Sequence, residues 1–338
     1  MTGGRERRRH AVAIALSALL CALALAAAPL VGATTIDVRR ALDGKVPLAD
    51  NPDAQILFGA RLPRAAAAAL VGSGLAASGA VLQAILRNPL ADPFTLGVSG
   101  GAALGAAIAI RLGLDAALPG GLALSAAAFL GALLAVAVVW SLARRGAVVV
   151  PATLLLAGVT LSFVAGATIV LLQHTADLAS GLRITRWTLG SLDGLRLELL
   201  AGALPVWGAG LGVSLLLARS LNALAAGAET AASVGVDVDR ATRAAYLAAS
   251  LLVGALVALA GPIGFVGLIV PHLARAVVGA DHRVLIPVCV FTGGAFLIAC
   301  DVLARVMLSP ADLPVGVLTA LMGGPFFLFL LRRRGGLA

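Results

Sequence analysis

Ala11-Val-Ala-Ile-Ala-Leu-Ser-Ala-Leu-Leu-Cys-Ala-Leu-Ala-Leu-Ala-Ala-Ala-Pro-Leu-Val31 is a run without a single charged side chain. An α-helix rises about 1.5 Å per residue, so about 20 apolar residues cross a hydrocarbon core of roughly 30 Å, and this run is long enough. Similar stretches recur to the end of the chain. With this one at 11–32, the others are expected at 62–85, 95–112, 119–142, 150–173, 197–218, 242–260, 266–279, 284–306 and 314–331. Of 338 residues, 60% are hydrophobic and 12% charged, and the mean hydropathy is +1.03. Such a chain cannot present an ordinary wet surface, so its solvent is a lipid bilayer. The expected fold is all-α and polytopic, about ten transmembrane helices forming one domain over 11–331, with short tails at 1–10 and 332–338.

The formal charge of +9 raises the question of nucleic acid, but a nucleic-acid binder gathers its cations into one patch interleaved with aromatics. Here they are dispersed over short connectors, and no nucleic-acid partner is expected. Lys and Arg accumulate in cytoplasmic loops. With ten spans and the N-terminus inside, the inner connectors, including Arg5, Arg7, Arg8, Arg9 and Arg87, carry the whole +9, and the outer ones balance. Both termini are therefore expected in the cytoplasm. Arg7-Arg8-Arg9 before an Ala-rich run also fits a secretory signal peptide, although the run exceeds the usual apolar length of about 7–15 residues. Cys21, Cys289 and Cys300 lie in apolar runs, as small packing residues do, with neither a disulfide framework nor a zinc spacing.

Four segments depart from generic membrane helix. At Arg61-Leu-Pro-Arg64 the second span begins, with Pro63 suited to a first helical turn and two cations at the outer end. Two readings fit Arg61 and Arg64: snorkelling to lipid phosphates, or a docking point for an acidic partner that Arg305 joins. After Gln83, the inner turn Arg87-Asn88-Pro89-Leu-Ala-Asp92-Pro93 resets the chain before Gly97 and Ser99. Gly97, Gly101 and Gly105 recur on one helical face, as close helix approach requires. The stretch 222–239, with Asn222, Gly227 and Glu229, is too polar to span and is expected as a short helix across the inner face, stopped by Gly235. It reads as a plain connector or as a lever for a cytoplasmic partner. Gly261-Pro-Ile-Gly264-Phe-Val-Gly267-Leu-Ile-Val-Pro271-His272-Leu-Ala-Arg275 cannot be continuous helix, and interrupted helices at membrane depth occur where protein or a water-filled cavity covers them. His272 fits a ligand or proton relay, or a helix-end histidine bonded to backbone. No second His or nearby Cys supports a metal site.

Taken in order, these blocks resemble the FecCD or BtuC-like permeases of type II ABC importers for ferric siderophores, haem and cobalamin. The similarity covers nearly the whole chain and includes Trp187 with Gly190-Ser191-Leu192, Asp281-His-Arg283, Pro314-Val-Gly316 and Gly323-Gly-Pro-Phe-Phe327. The resemblance implies a homodimer with a path along its axis, served by two ATP-binding cassette subunits and a substrate-binding protein that is periplasmic or lipid-anchored. It implies that Asn222 to Gly235 fits a cleft in the ATPase, and that Arg61, Arg64 and Arg305 meet glutamates of the binding protein. It also implies an inner-membrane location and, as commonest cargo, a ferric siderophore, with haem or cobalamin as alternatives. One departure is visible: Asp312-Leu-Pro314 stands where many relatives carry Glu and Pro.

The single lysine, Lys45, follows no Gly-x-x-x-x-Gly-Lys loop, so the chain is not expected to hydrolyse ATP itself and needs no cofactor. An ion-coupled secondary transporter is the competing class. It normally places carboxylates along its pathway, whereas Asp301 lies toward the outer end of its expected span.

Overall fold

The structure is a computed structural model that describes residues 2–43, 46–116, 118, 121–145, 148–149, 151–308 and 311–334; Lys45 and residues 335–338 of the expected C-terminal tail lie outside these. Ten apolar helices follow in order among the described residues: α1 (Thr2–Ala27), α2 (Leu62–Ile85), α3 (Val98–Arg111), α4 (Leu122–Ala143), α5 (Pro151–His174), α6 (Leu197–Leu216), α7 (Val238–Ala260), α8 (Val266–Val278), α9 (His282–Met307) and α10 (Val315–Arg334). Among the described residues seven are long and apolar enough to cross a membrane, α3 and α8 are shorter, and the apolar part of α10 covers Val315–Leu330. A two-residue hairpin pairs Arg144 with Val149 just after α4.

The helices arrange in layers set by their composition. Small residues dominate α2, whose span is 83% buried, whereas only 11% of the Leu-rich α1 span is covered. Lipid tails are as apolar as Leu, so association rests on close backbone approach. Gly72 of α2 faces Gly293 of α9, and Gly101 of α3 faces Gly131 of α4; at each position a side chain would strike backbone of the other helix. Gly97 departs from the expected stripe. It sits before α3 at φ +78, facing Gly158 of α5, while Gly101 and Gly105 face α4. Cys289 and Cys300 are buried and Cys21 half-buried, all as free thiols.

The expected tail 1–10 continues α1 without a break from Thr2. The outer connector ahead of α2 is also more ordered than its polarity implied. A wide-turn helical segment, Gln55–Arg61, runs straight into α2, so Pro63 lies at a junction inside a continuous rod. The connector 176–196 contains a further helix, Leu178–Thr188, capped by Asp177, whose carboxylate accepts the Ser180 N–H. Ile184 anchors it, and Trp187 packs inward.

Candidate functional site

The break between α7 and α8 follows from its glycines. Gly261 ends α7 at φ +70, and Phe265 opens α8 at φ +68, a conformation uncommon for a side-chain-bearing residue. The backbone groups freed there find protein partners: Ser191 N–H donates to the Ala260 carbonyl at 2.8 Å, and Gly316 N–H to the Gly190 carbonyl at 3.2 Å. The neighbouring turn at Gly190-Ser191 and the start of α10 thus cover the discontinuity, as irregular backbone at membrane depth requires. Gly264 has open space where a side chain would project.

Pro271 creates a second need inside α8. It has no N–H, so the carbonyl four residues earlier, at Gly267, loses its helical donor. Gln83 of α2 supplies it, its Nε2 donating to Gly267 O at 3.2 Å and to Ala91 O at 3.4 Å, while its Oε1 accepts Arg275 Nη2 at 2.9 Å. One amide therefore ties α2, the inner turn and both ends of α8. The turn begins in a helix stop. Asn88 N–H reaches back to Gln83 O and Arg87 N–H to Ala84 O, with Arg87 at φ +49 taking the place glycine usually fills. Asn88 Oδ1 accepts Leu90 N–H across Pro89, and Asp92 Oδ1 accepts Phe94 N–H at 2.9 Å. Burial pushes the Asp92 carboxyl up to about 6, against the opposing pull of the Phe94 and Phe265 N–H groups. Ser99 is buried near the start of α3. His272 is half-buried, its ring edge-on to Phe326 of α10 at 6.1 Å. Among the described residues no His, Cys, Asp and Glu cluster could hold a metal ion.

The polar inner segment is two helices rather than one, Ala218–Ala226 and Ala228–Ser233, divided at Gly227 with φ +127. Leu221, Leu224 and Ala231 anchor it, leaving Glu229 and Val234 exposed. Gly235, at φ +84, completes a stop in which Val236 N–H bonds Ala231 O and Gly235 N–H bonds Ala232 O. Asn222 fastens the element to α9: its Nδ2 donates to Asp281 Oδ1 at 2.8 Å, and its Oδ1 accepts the His282 N–H at 2.8 Å and lies 2.7 Å from His282 Nδ1. With Oδ1 as acceptor, the His282 proton sits on Nδ1. The Arg283 guanidinium, then Asn222, holds the Asp281 carboxyl well below the usual range. His282, only 2% exposed, was quoted from the sequence within Asp281-His-Arg283 but given no role of its own. Its position beside a helix-capping Asp was the available signal.

At the end expected outside, Arg61, Arg64 and Arg305 lie close together, and all three are buried. Arg64 Nε donates to Asp301 Oδ1 at 2.8 Å, and Arg305 Nε lies 3.1 Å from Asp301 Oδ2. Arg64 Nη1 also meets Asp312 at 3.0 Å and Asp193 at 3.5 Å. Arg61 donates to the carbonyls of Pro29 and Thr34, and Arg305 to those of Ala28 and Val31, so both secure the exit of α1. A buried cation needs a partner in low dielectric, and Asp301, one helical turn before Arg305, serves two. What faces outward is the acid rim, with the Asp193 and Asp312 side chains 72% and 48% exposed.

Residues 16–333 match the FecCD transport family. The chain is 48% identical over 285 residues to the cobalamin import system permease protein BtuC of Halobacterium salinarum, covering 83% of this chain and 74% of the relative. It is 39% identical to the hemin transport system permease protein HmuU of Yersinia pestis, covering 81% and 82% of the two chains. With the ferric enterobactin transport system permease protein FepD of Escherichia coli it shares 38% identity over 97% of each. Among solved structures, an inward-facing putative metal-chelate type ABC transporter superposes with a TM-score of 0.81 at 31% identity, over 96% of this chain and 99% of that one. The break between α7 and α8, the polar element held by Asn222 and the ten-helix layering thus occur in a chain that belongs to the FecCD transport family, as a multi-pass inner-membrane permease of type II ABC importers.

Proposed function

We propose that the chain is the membrane subunit of an importer that moves a large metal chelate into the cell, as a homodimer with both termini in the cytoplasm. Two ATP-binding cassette subunits drive it and a substrate-binding protein feeds it. The observation that carries this reading is the exposed element around Glu229, clamped by Asn222 to the first residue of α9. An element anchored on one side and bare on the other suits a partner that pushes on it, and α9 runs from this point to Asp301 and Arg305 in the outer cluster.

In this reading Asn222, Gly227, Glu229 and Gly235 couple the chain to the ATPase, and the Gln83, Asn88, Pro89 and Gly97 to Ser99 segment, with Gly264, Gly267, Pro271 and His272, frames the moving inner part of the path. Docking of the binding protein falls on the outer cluster. Because Arg61, Arg64 and Arg305 are already engaged, an incoming carboxylate exchanges with Asp193 or Asp312 for Arg64 rather than meeting bare cations.

Between cargoes, the ferric siderophore expected from the sequence competes with a corrinoid, which the 48% identity to a cobalamin permease favours over the 39% and 38% shared with hemin and ferric enterobactin permeases. Uptake of labelled cobalamin, ferric siderophore and haem is to be measured in cells lacking their own permease and supplied with this chain and its partner subunits. ATP-dependent accumulation of one chelate fixes the cargo. Accumulation that follows a proton or sodium gradient and ignores ATP depletion would refute the ABC reading.

A further inference from the structure

Near residue 21, α1 lies against α9: a side chain at Gly294 would come within 3.0 Å of the Cys21 sulfur. Along α1, from Glu6 to Ala24, a groove of about 1330 Å³ is lined by this helix together with α8 and α9. Its walls are apolar, formed by residues such as Leu16, Val277 and Phe296, and Leu16 and Val277 remain 61% and 78% exposed. One end alone is charged: Arg8, Arg9 and His10 line it, opposed by Glu6.

We propose that this groove is a binding site for an anionic phospholipid, with its acyl chains along α1, α8 and α9 and its phosphate at Arg8, Arg9 and His10. The shape selects an amphiphile. Ordinary small-molecule sites occupy about 300–1,000 Å³ and enclose their ligand, whereas this groove is larger and opens along the face of a membrane-spanning bundle. The charge selects the head group. Basic residues between helices at a membrane surface attract anionic lipid heads, and a zwitterionic head leaves the arginine pair without a net counter-charge. A free anion has no use for the apolar walls, which make up most of the groove. Nothing in this assignment depends on the cargo or on the ATPase.

The test is native mass spectrometry of the full chain, delipidated in mild detergent and offered an equimolar mixture of phosphatidylglycerol, cardiolipin and phosphatidylcholine. The expected result is retention of an anionic lipid over phosphatidylcholine by about tenfold, equivalent to about 1.4 kcal/mol. The Arg8→Ser/Arg9→Ser variant and Ala13→Trp, which fills the groove wall, each lose that adduct, while Arg219→Ser, away from the groove, keeps it. Equal retention of phosphatidylcholine overturns the proposal, as do unchanged adducts in both groove variants, or a chain dimer that Ala13→Trp alone abolishes. The lipid comparison on the unaltered chain decides the matter even where a variant folds poorly.

Discussion

Arg64 and Asp301, separated by 237 positions in the chain, meet at 2.8 Å inside the outer end of the bundle. Their contact joins α2 to α9, the two helices whose glycine faces also pack backbone to backbone at Gly72 and Gly293. Arg305 lies on the other oxygen of the same carboxylate. Asp301 therefore serves two cations that are both out of water, and removing it leaves Arg64 with the rim acids and Arg305 with backbone carbonyls. Breaking a buried pair in this way costs about 3–5 kcal/mol. Asp301→Ala is expected to give little folded protein, with a sharply lowered melting temperature by fluorescence-detected size exclusion. A melting temperature within a degree or two of the parent would mean that Arg64 and Arg305 are satisfied by their other partners.

The rim acids predict an opposite effect on binding. Asp193 and Asp312, both largely open to solvent, compete with an incoming partner for the buried Arg64. Asp193→Asn/Asp312→Asn is expected to tighten the binding protein's hold on nanodisc-embedded permease by a few fold, read by biolayer interferometry. Weaker binding would show that these carboxylates themselves face the partner.

Close approach of α2 and α8 makes a third prediction. A side chain at Gly79 would fall on the Gly267 carbonyl, whereas one at Gly166 on α5 meets nothing within 4 Å. Overpacking typically costs about 1–3 kcal/mol. Gly79→Val is expected to lower thermal stability and uptake together, and Gly166→Ala to leave both near the parent values. Equal effects of the two changes would deny the α2–α8 contact its role.

The helices were legible because spanning length and hydropathy are local properties. The stretch expected at 62–85 is Leu62–Ile85, and that expected at 284–306 is His282–Met307. Likewise the break before α8 was announced by Gly261, Pro262, Gly264 and Gly267. What stayed hidden depends on distant partners. For Arg61 and Arg64 nothing local reveals the partners, which are the exit of α1 and Asp301 on α9, whereas the Asp301–Arg305 pair lies one helical turn apart. Leu178–Thr188 read as a connector because its arginines mask the apolar face through which Ile184 packs on Ala103, Ala107 and Ile110 of α3. Gly227 within 222–235 signalled a break that helix propensity argued against, and positive φ decided it. His282 gave no periodic signal, since its role is defined by Asn222, 60 positions earlier.

Asp92 sets a pH dependence. Its carboxyl rises from 3.8 to about 6 on burial in the inner turn, so the native state binds this proton more tightly than the unfolded chain does. Stability from this group is full below pH 3.8 and falls as pH rises through about 6, a total of about 3 kcal/mol at 1.36 kcal/mol per unit. Asp92→Asn keeps the oxygen that accepts the Phe94 N–H but carries no charge to bury. Its melting temperature is expected to match the parent at pH 4 and exceed it at pH 7.5. A parallel pair of curves across that range would show that the carboxylate is hydrated.

Gln83 and Pro271 offer a test that separates a specific hydrogen bond from general packing. Gln83→Ala removes the donor to Gly267 O and leaves that carbonyl, already deprived by Pro271, without its side-chain partner. An unsatisfied buried acceptor costs about 1–3 kcal/mol, and the freed Arg275 contact adds to the loss. Pro271→Ala restores an N–H at the position that bonds residue 267 in a regular helix. The double variant Gln83→Ala/Pro271→Ala is therefore expected to be more stable than the sum of the single losses, by about 1 kcal/mol in a double-mutant cycle. Strict additivity of the melting shifts would mean that Gln83 acts through Ala91 and Arg275 alone. If the coupling is present and uptake is still lost in the stable double variant, the Gln83–Pro271 arrangement is needed for movement of α8 and not merely for its fold.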